Sequence, residues 1–234
     1  MTTKEMSSSA RAIFDRDLKS LQADVLQMGA MLDSAMSGSL TALRECDVIL
    51  GQEIVDRDAE VNALRYKIEK ACLRMIATQQ PAASDLRAIV AAMNMAGDME
   101  RIGDHAAGIS KVLLRMDSQG EVELPASLTL MADVAMVMLR RALEAYNKAD
   151  DKLAYEVASK DDLIDEHYHA LYAELVELMT RNPGKTTTGV YLMFVGHNIE
   201  RIADRATNLA ENVIFMTSGK IQELNPESGI ADAN

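Results

Sequence analysis

The chain has 234 residues, a formal net charge of -12, and just 3 Phe, 6 Tyr and no Trp. A balance this acidic excludes the clustered Lys and Arg of a nucleic-acid face and suits solubility, basic partners or cations. The longest apolar stretch, 128–139, is interrupted by Asp133 and is too short to span a bilayer, and no secretory signal is expected. Cys46 and Cys72 have no ligand-like spacing and read as reduced, half-buried thiols of a cytoplasmic protein.

Only 4 prolines interrupt a chain rich in Ala, Leu, Met, Glu, Asp and Arg, a composition of long helices joined by short turns. After a polar start expected to fray, the spacing predicts a first amphipathic helix through Ile13, Leu21, Val25, Met28, Leu32, Ala35, Leu40 and Leu43. Asp47 is placed to cap a second, which turns Ile54, Val61, Leu64, Ile68, Cys72 and Met75 inward and stops near Pro81. Ser84 or Asp85 is the expected cap of a third, running to about Met116. The aperiodic stretch 117–125 (DSQGEVELP) is the best boundary. A fourth helix is expected over 126–148 with Leu130, Val134, Val137 and Leu143 facing in, a fifth over 151–180, and a sixth over 186–217. The polar segment 219–234 reads as a disordered tail.

One helix is written twice. Residues 98–113 (DMERIGDHAAGISKVL) and 198–213 (NIERIADRATNLAENV) share Glu-Arg-Ile-x-Asp-x-Ala in register. An offset this long is two copies of a small domain rather than a solenoid repeat. The fold class is therefore all-α, a tandem of two antiparallel three-helix bundles, with halves at 7–120 and 121–218 and the tail after them.

Each copy carries a Glu and an Asp at i and i+4: Glu100 with Asp104, and Glu200 with Asp204. That spacing puts two like charges on one face, roughly 6 Å apart at Cβ, at a cost of a few tenths of a kcal/mol unless a cation intervenes. Alone, such a pair is ordinarily a solvated helix face; its recurrence in the same slot singles it out. The preceding helix of each half adds a second i,i+4 pair, Asp58 with Asn62 and Asp161 with Asp165. If those helices pack side by side, four oxygen-bearing side chains converge in each half. An all-oxygen set selects hard or borderline cations such as Mg²⁺, Mn²⁺, Ca²⁺ or iron. His105 and His197 stand close enough to offer nitrogen, whereas Glu166 and His169 make one Glu-x-x-His where a ferritin-like di-iron bundle needs two. No nucleophile–base–orienter set is visible.

With its paired ERIxD helices and QQPAASDLR at 79–87, the chain resembles the PhoU family of phosphate-signalling regulators over roughly residues 10–218. The resemblance implies a negative regulator of phosphate uptake and of the phosphate-starvation response. It would couple the ATPase subunit of the high-affinity phosphate transporter to a sensor histidine kinase. The same likeness implies a cytoplasmic homodimer that meets the membrane only through its partners, and the net charge argues against nucleic acid as one of them. It also implies divalent or trivalent metal ions (iron, manganese, magnesium or zinc), with room for more than one per cluster. Their ligands would be Glu100, Asp104, Glu200 and Asp204, with Asp58, Asn62, Asp161 and Asp165 beside them. In the first motif Gly108 replaces a frequent Asn that the second keeps as Asn208, which implies weaker binding, or a water, in the first half. The rival reading is a carboxylate-cluster protein for metal storage or phosphoester hydrolysis.

Overall fold

The computed structural model describes residues 3–116 and 123–224. Among them are six helical rods, one broken in two, and no strand. The first half is α1 (Thr3–Glu45), α2 (Val48–Gln79) and α3 (Ala83–Arg115); the second is α4 (Ala126–Lys148), α5 (Asp151–Ala158), α6 (Asp161–Arg181) and α7 (Thr186–Ser218). A single 3-10 turn, Pro183–Lys185, links the last two. Within each half the helices pack pairwise as an antiparallel bundle, and α1 also touches α4. Part of the expected boundary, 117–122, and most of the tail, 225–234, lie outside the described residues.

Local chemistry explains most of the ends. Asp47 caps α2 as expected, its Oδ1 accepting from the Ile49 and Leu50 amides at 3.0 Å each. The helix closes where Gln80 takes the left-handed conformation just before Pro81. The cap of α3 differs from expectation: it is Ala82, with no side-chain bond. Asp85 instead sits in the first turn, where the helix dipole favours an acid, and pairs with Arg11 across to α1. The polar start is already helical at Thr3.

The expected fifth helix is two. Ser159 and Lys160 break it, and α6 restarts with Asp161 and Asp162 in its first turn. The fourth helix has the expected length but turns a different face inward. Leu130 and Val137 are exposed and Val134 and Leu143 only half-buried; Leu128, Met131, Ala132, Ala135, Met138, Leu139 and Ala142 are buried. The alanine-bearing stripe wins because small side chains let α4 lie close to its neighbours. By contrast, every residue expected to face inward on α2 is buried, as are Met95, Met99, Ile102, Ala106, Ile109 and Leu113 on α3 and Val195, Ile199, Ile202, Ala206, Leu209 and Val213 on α7.

The most extensive helix pairing in the molecule is α3 against α7, the two copies of the duplicated helix, and one continuous apolar core runs through both halves. They run antiparallel, and their polar contacts map onto each other when the halves are exchanged. At one end Asp98 Oδ1 accepts from Asn208 Nδ2 at 3.2 Å and meets Arg205 Nη1 at 3.6 Å. At the other, the matching residues are Asn198, His105 and Gly108. Asn198 Oδ1 lies 3.1 Å from His105 Nδ1, and a Cβ built on Gly108 would fall 2.7 Å from that same oxygen. Because Asn198 also donates to the Phe194 carbonyl at 2.7 Å, it has little freedom to retreat. Gly108 is therefore a close-approach residue of the seam.

Asp98 and Arg205 are both largely buried, and burial holds the Asp98 carboxyl above the usual carboxylate range. Truncating one partner leaves the other without its counter-charge where water reaches it only in part. Asp98→Ala should lower unfolding free energy by about 1–3 kcal/mol, read as a lower urea midpoint with unchanged slope. A midpoint equal to the parent would remove the seam from the account of stability.

Candidate functional site

In the second half the expected residues come together. Asp161 and Asp165 of α6 and Glu200 and Asp204 of α7 line one cleft of about 520 Å³, with Thr207, Asn208 and Glu211 further along the same face of α7. The break before α6 sets this up: it delivers Asp161, almost fully buried, to a place where the Thr207 hydroxyl donates to its Oδ1 at 3.4 Å. Arg201 Nη1 holds Asp204 Oδ2 at 2.7 Å. Glu200 Oε2 is buried without a hydrogen bond; His197 Nδ1 lies 3.4 Å away, outside hydrogen-bond geometry.

These carboxyls are expensive to ionise together. Burial, then the charge of Asp204, pushes Glu200 up to about 7. Burial and the same neighbour push Asp161 up to about 6. Asp204 is also raised, by burial, although Arg201 and Arg205 pull the other way.

Part of the expected disordered tail borders this cleft. Residues 219–224 are described and turn back at Gly219, whose φ of 76° suits glycine. The Leu224 amide donates to Glu211 Oε1 at 2.7 Å, Gln222 Nε2 bonds the Tyr155 hydroxyl at 2.7 Å, and Glu223 joins the lining of the cleft. At the head of the segment expected to be a disordered tail, the half-buried Glu211 carboxylate and the Tyr155 hydroxyl hold residues 219–224 as a strap.

The first half is arranged differently. Asn62 Nδ2 donates to Asp58 Oδ2 at 3.2 Å, and Asp58 Oδ1 is buried without a partner against Gly103. Burial first, then the charge of Asp104, raises the Asp58 carboxyl. Glu100 is not left to its neighbours: Arg65 Nη1 bonds its Oε1 at 3.0 Å while Arg65 Nε holds Glu69 at 2.9 Å. Asp104 is exposed. Among the described residues no three His, Cys, Asp or Glu side chains are gathered as a ready-made metal cage, so any cation would draw rotamers inward.

Sequence reasoning missed Arg65 and Glu223, whereas Arg201 and Glu211 stand beside the acid pair in the sequence itself. Arg65 was legible, since Asp58, Asn62 and Arg65 stand at i, i+4 and i+7 of one helix face. Glu223 was not, because only the folded strap brings it to the cleft.

Among the described residues no helix is long and apolar enough to cross a membrane. Fold and site together define an all-helical tandem of paired bundles, locked by a duplicated acid-bearing helix. The model of the PhoU domain matches residues 25–113 and again 128–213. A phosphate-specific transport system accessory protein PhoU homolog of Zymomonas mobilis is 36% identical over 207 residues, spanning 88% of this chain and 87% of that one. One from Clostridium acetobutylicum is 32% identical over 216 residues, spanning 92% and 99%. The crystal structure of the phosphate transport system regulatory protein PhoU from Streptococcus pneumoniae superposes with a TM-score of 0.83 at 30% identity, covering 90% of this chain and 99% of that one. The chain belongs to the PhoU family.

The raised carboxyls fix a pH response. Glu200 holds its proton to about pH 7 when folded and releases it at about 4.5, the ordinary glutamate range, when unfolded. The folded state thus binds more protons between these limits, and stability falls as pH rises through that window. For metal-free protein, Glu200→Gln should melt higher than the parent at pH 8, with the gap closing towards pH 5. A gap independent of pH would mean that Glu200 ionises as an ordinary surface acid.

Proposed function

We propose that this protein is a non-enzymatic, metal-binding regulator that restrains phosphate uptake and phosphate-starvation signalling. The observation that carries the regulatory part is the match of the family model to both halves, with relatives named as accessory proteins of phosphate-specific transport. In this reading it acts in the cytoplasm as a homodimer. It docks on the ATPase subunit of the phosphate transporter, relays the transporter's state to a sensor histidine kinase, and touches the membrane only through these partners. The relatives' names, accessory and regulatory, support an adaptor over an enzyme.

The metal part rests on the donor sets. Asp161, Asp165, Glu200 and Asp204 in the second half, and Asp58, Asn62, Glu100 and Asp104 in the first, offer oxygen alone, as hard cations prefer. Each set includes a buried carboxylate oxygen without a hydrogen bond, Glu200 Oε2 and Asp58 Oδ1. Desolvation and mutual repulsion already raise carboxyls in both sets. A bound Fe, Mn, Mg or Zn ion would offset that cost and tie neighbouring helices together.

Two measurements test the proposal. Cells lacking the chain should express phosphate-starvation reporters in phosphate-rich medium; reporters that stay silent would count against the regulatory role. Elemental analysis of the purified protein should find bound metal that is lost in Glu200→Ala/Asp204→Ala. A folded, metal-free parent protein would retire the metal part while leaving the adaptor role standing.

A further inference from the structure

We infer that the two acidic sites are not equivalent: the second is the cation site, whereas the first carries its own internal counter-ion, the guanidinium of Arg65. The inference rests on the metal-binding reading above and divides it between the halves.

The decisive position lies seven residues after the leading Asp of each partner helix. In α2 it is Arg65; in α6 it is Tyr168. Arg65 spends its fork on two carboxylates, Glu100 at 3.0 Å and Glu69 at 2.9 Å. Glu100, the first acid of the duplicated motif, is thereby neutralised before any ion arrives. Next to it, Asn62 stands where the second half has Asp165, and its amide donates to Asp58 at 3.2 Å. The first site therefore supplies its own positive and hydrogen-bond-donating groups. An incoming cation must break charge-assisted bonds to enter.

Tyr168 brings no charge. Its ring packs against Gly196, 3.5 Å from where a Cβ would stand, one turn before Glu200. Glu200 Oε2 is left buried and without a hydrogen bond. Asp165 adds a carboxylate where the first half has an amide, and the strap adds Glu223 to the same lining. Two guanidinium groups reach this side. Arg201 holds Asp204 from the cleft's own helix at 2.7 Å, and Arg205 is directed to Asp98 in the seam at 3.6 Å. Neither reaches Glu200 as Arg65 reaches Glu100. The second cleft thus keeps its leading glutamate without a guanidinium partner, facing only the His197 ring at 3.4 Å, where the first has Glu100 paired to Arg65.

Calorimetric titration of the metal-stripped full chain with Mn²⁺ separates the halves. Glu200→Gln should weaken Mn²⁺ binding at least about tenfold more than Glu100→Gln does. Arg65→Ala should add a second binding event absent from the parent; Arg65→Met, which keeps the aliphatic stem, serves the same purpose if Ala loosens the bundle. Equal losses in the two glutamine variants, or unchanged stoichiometry in both Arg65 variants, would overturn the inference. Two equivalent events in the parent would overturn it too while leaving metal binding intact. A parent that takes up no Mn²⁺ would sink both this inference and the metal reading.

Discussion

The antiparallel contact between α3 and α7 is the constraint on which the rest of the molecule depends. It pairs a helix with its own duplicate, so each apolar stripe serves twice. Ile102 and Ile202, Ala106 and Ala206, and Met99 and Ile199 are all fully buried. Small residues at 103, 106, 107, 203, 206 and 210 keep the helix backbones near their neighbours, and close approach raises the number of dispersion contacts each buried side chain makes. Because one continuous core threads both halves, neither half retains a complete core once the seam is opened. The contact also decides which residues remain for chemistry. Once a stripe of α7 is committed to the core, Glu200, Asp204 and Asn208 are left on the flank that α6 and the strap enclose.

Burying acids beside such a core has a predictable consequence. A carboxylate loses hydration on entering a low-dielectric site and recovers it only through donors or cations. The protein supplies these unevenly. Arg65 answers Glu100, Arg201 answers Asp204 and Arg205 answers Asp98, while Asp58 Oδ1 and Glu200 Oε2 are left without a donor. Unanswered buried oxygens on a stable scaffold are local sites of strain, and strain held on packed helices is better positioned for recognition than the same groups on loops.

Much of this was legible in the sequence because period and burial agree. On α2, α3 and α7 the inward positions follow from large apolar side chains at helical spacing, and the structure buries each of them. On α4 two apolar stripes compete: side-chain size in the sequence favours Leu130 and Val137, and close packing in the fold favours the alanines. The break at Ser159–Lys160 was marked by the Asp161-Asp162 pair that follows, an acidic first turn inside a stretch read as continuous. Gly108 was read as a gap in a ligand set. Its reason lies across the seam in Asn198, which no pattern within one helix could disclose. Cross-helix partners and the strap's return to Glu211 are properties of the tertiary arrangement, and a periodicity reading is blind to them.

Duplication explains the common frame, and divergence explains what each half does with it. At the seam, Asp98 with Arg205 and Asn208 corresponds to Asn198 with His105 and Gly108. A charged bridge at one end has become a neutral contact and a close approach at the other. The exchanges are mutually dependent: an Asn at 108 would run into Asn198, and a neutral residue at 98 would strand Arg205. Each half's identity is therefore written partly in the other half, through pairs that must change together. The same logic runs outward from seam to flank. Asn208 donates to Asp98 across the seam and also lines the second cleft, whereas Gly108, its counterpart, has no side chain to do either. The residue that locks the halves together at one end thus shapes a cleft only on the second half, so the asymmetry of the acid sites begins in the contact that holds the molecule together.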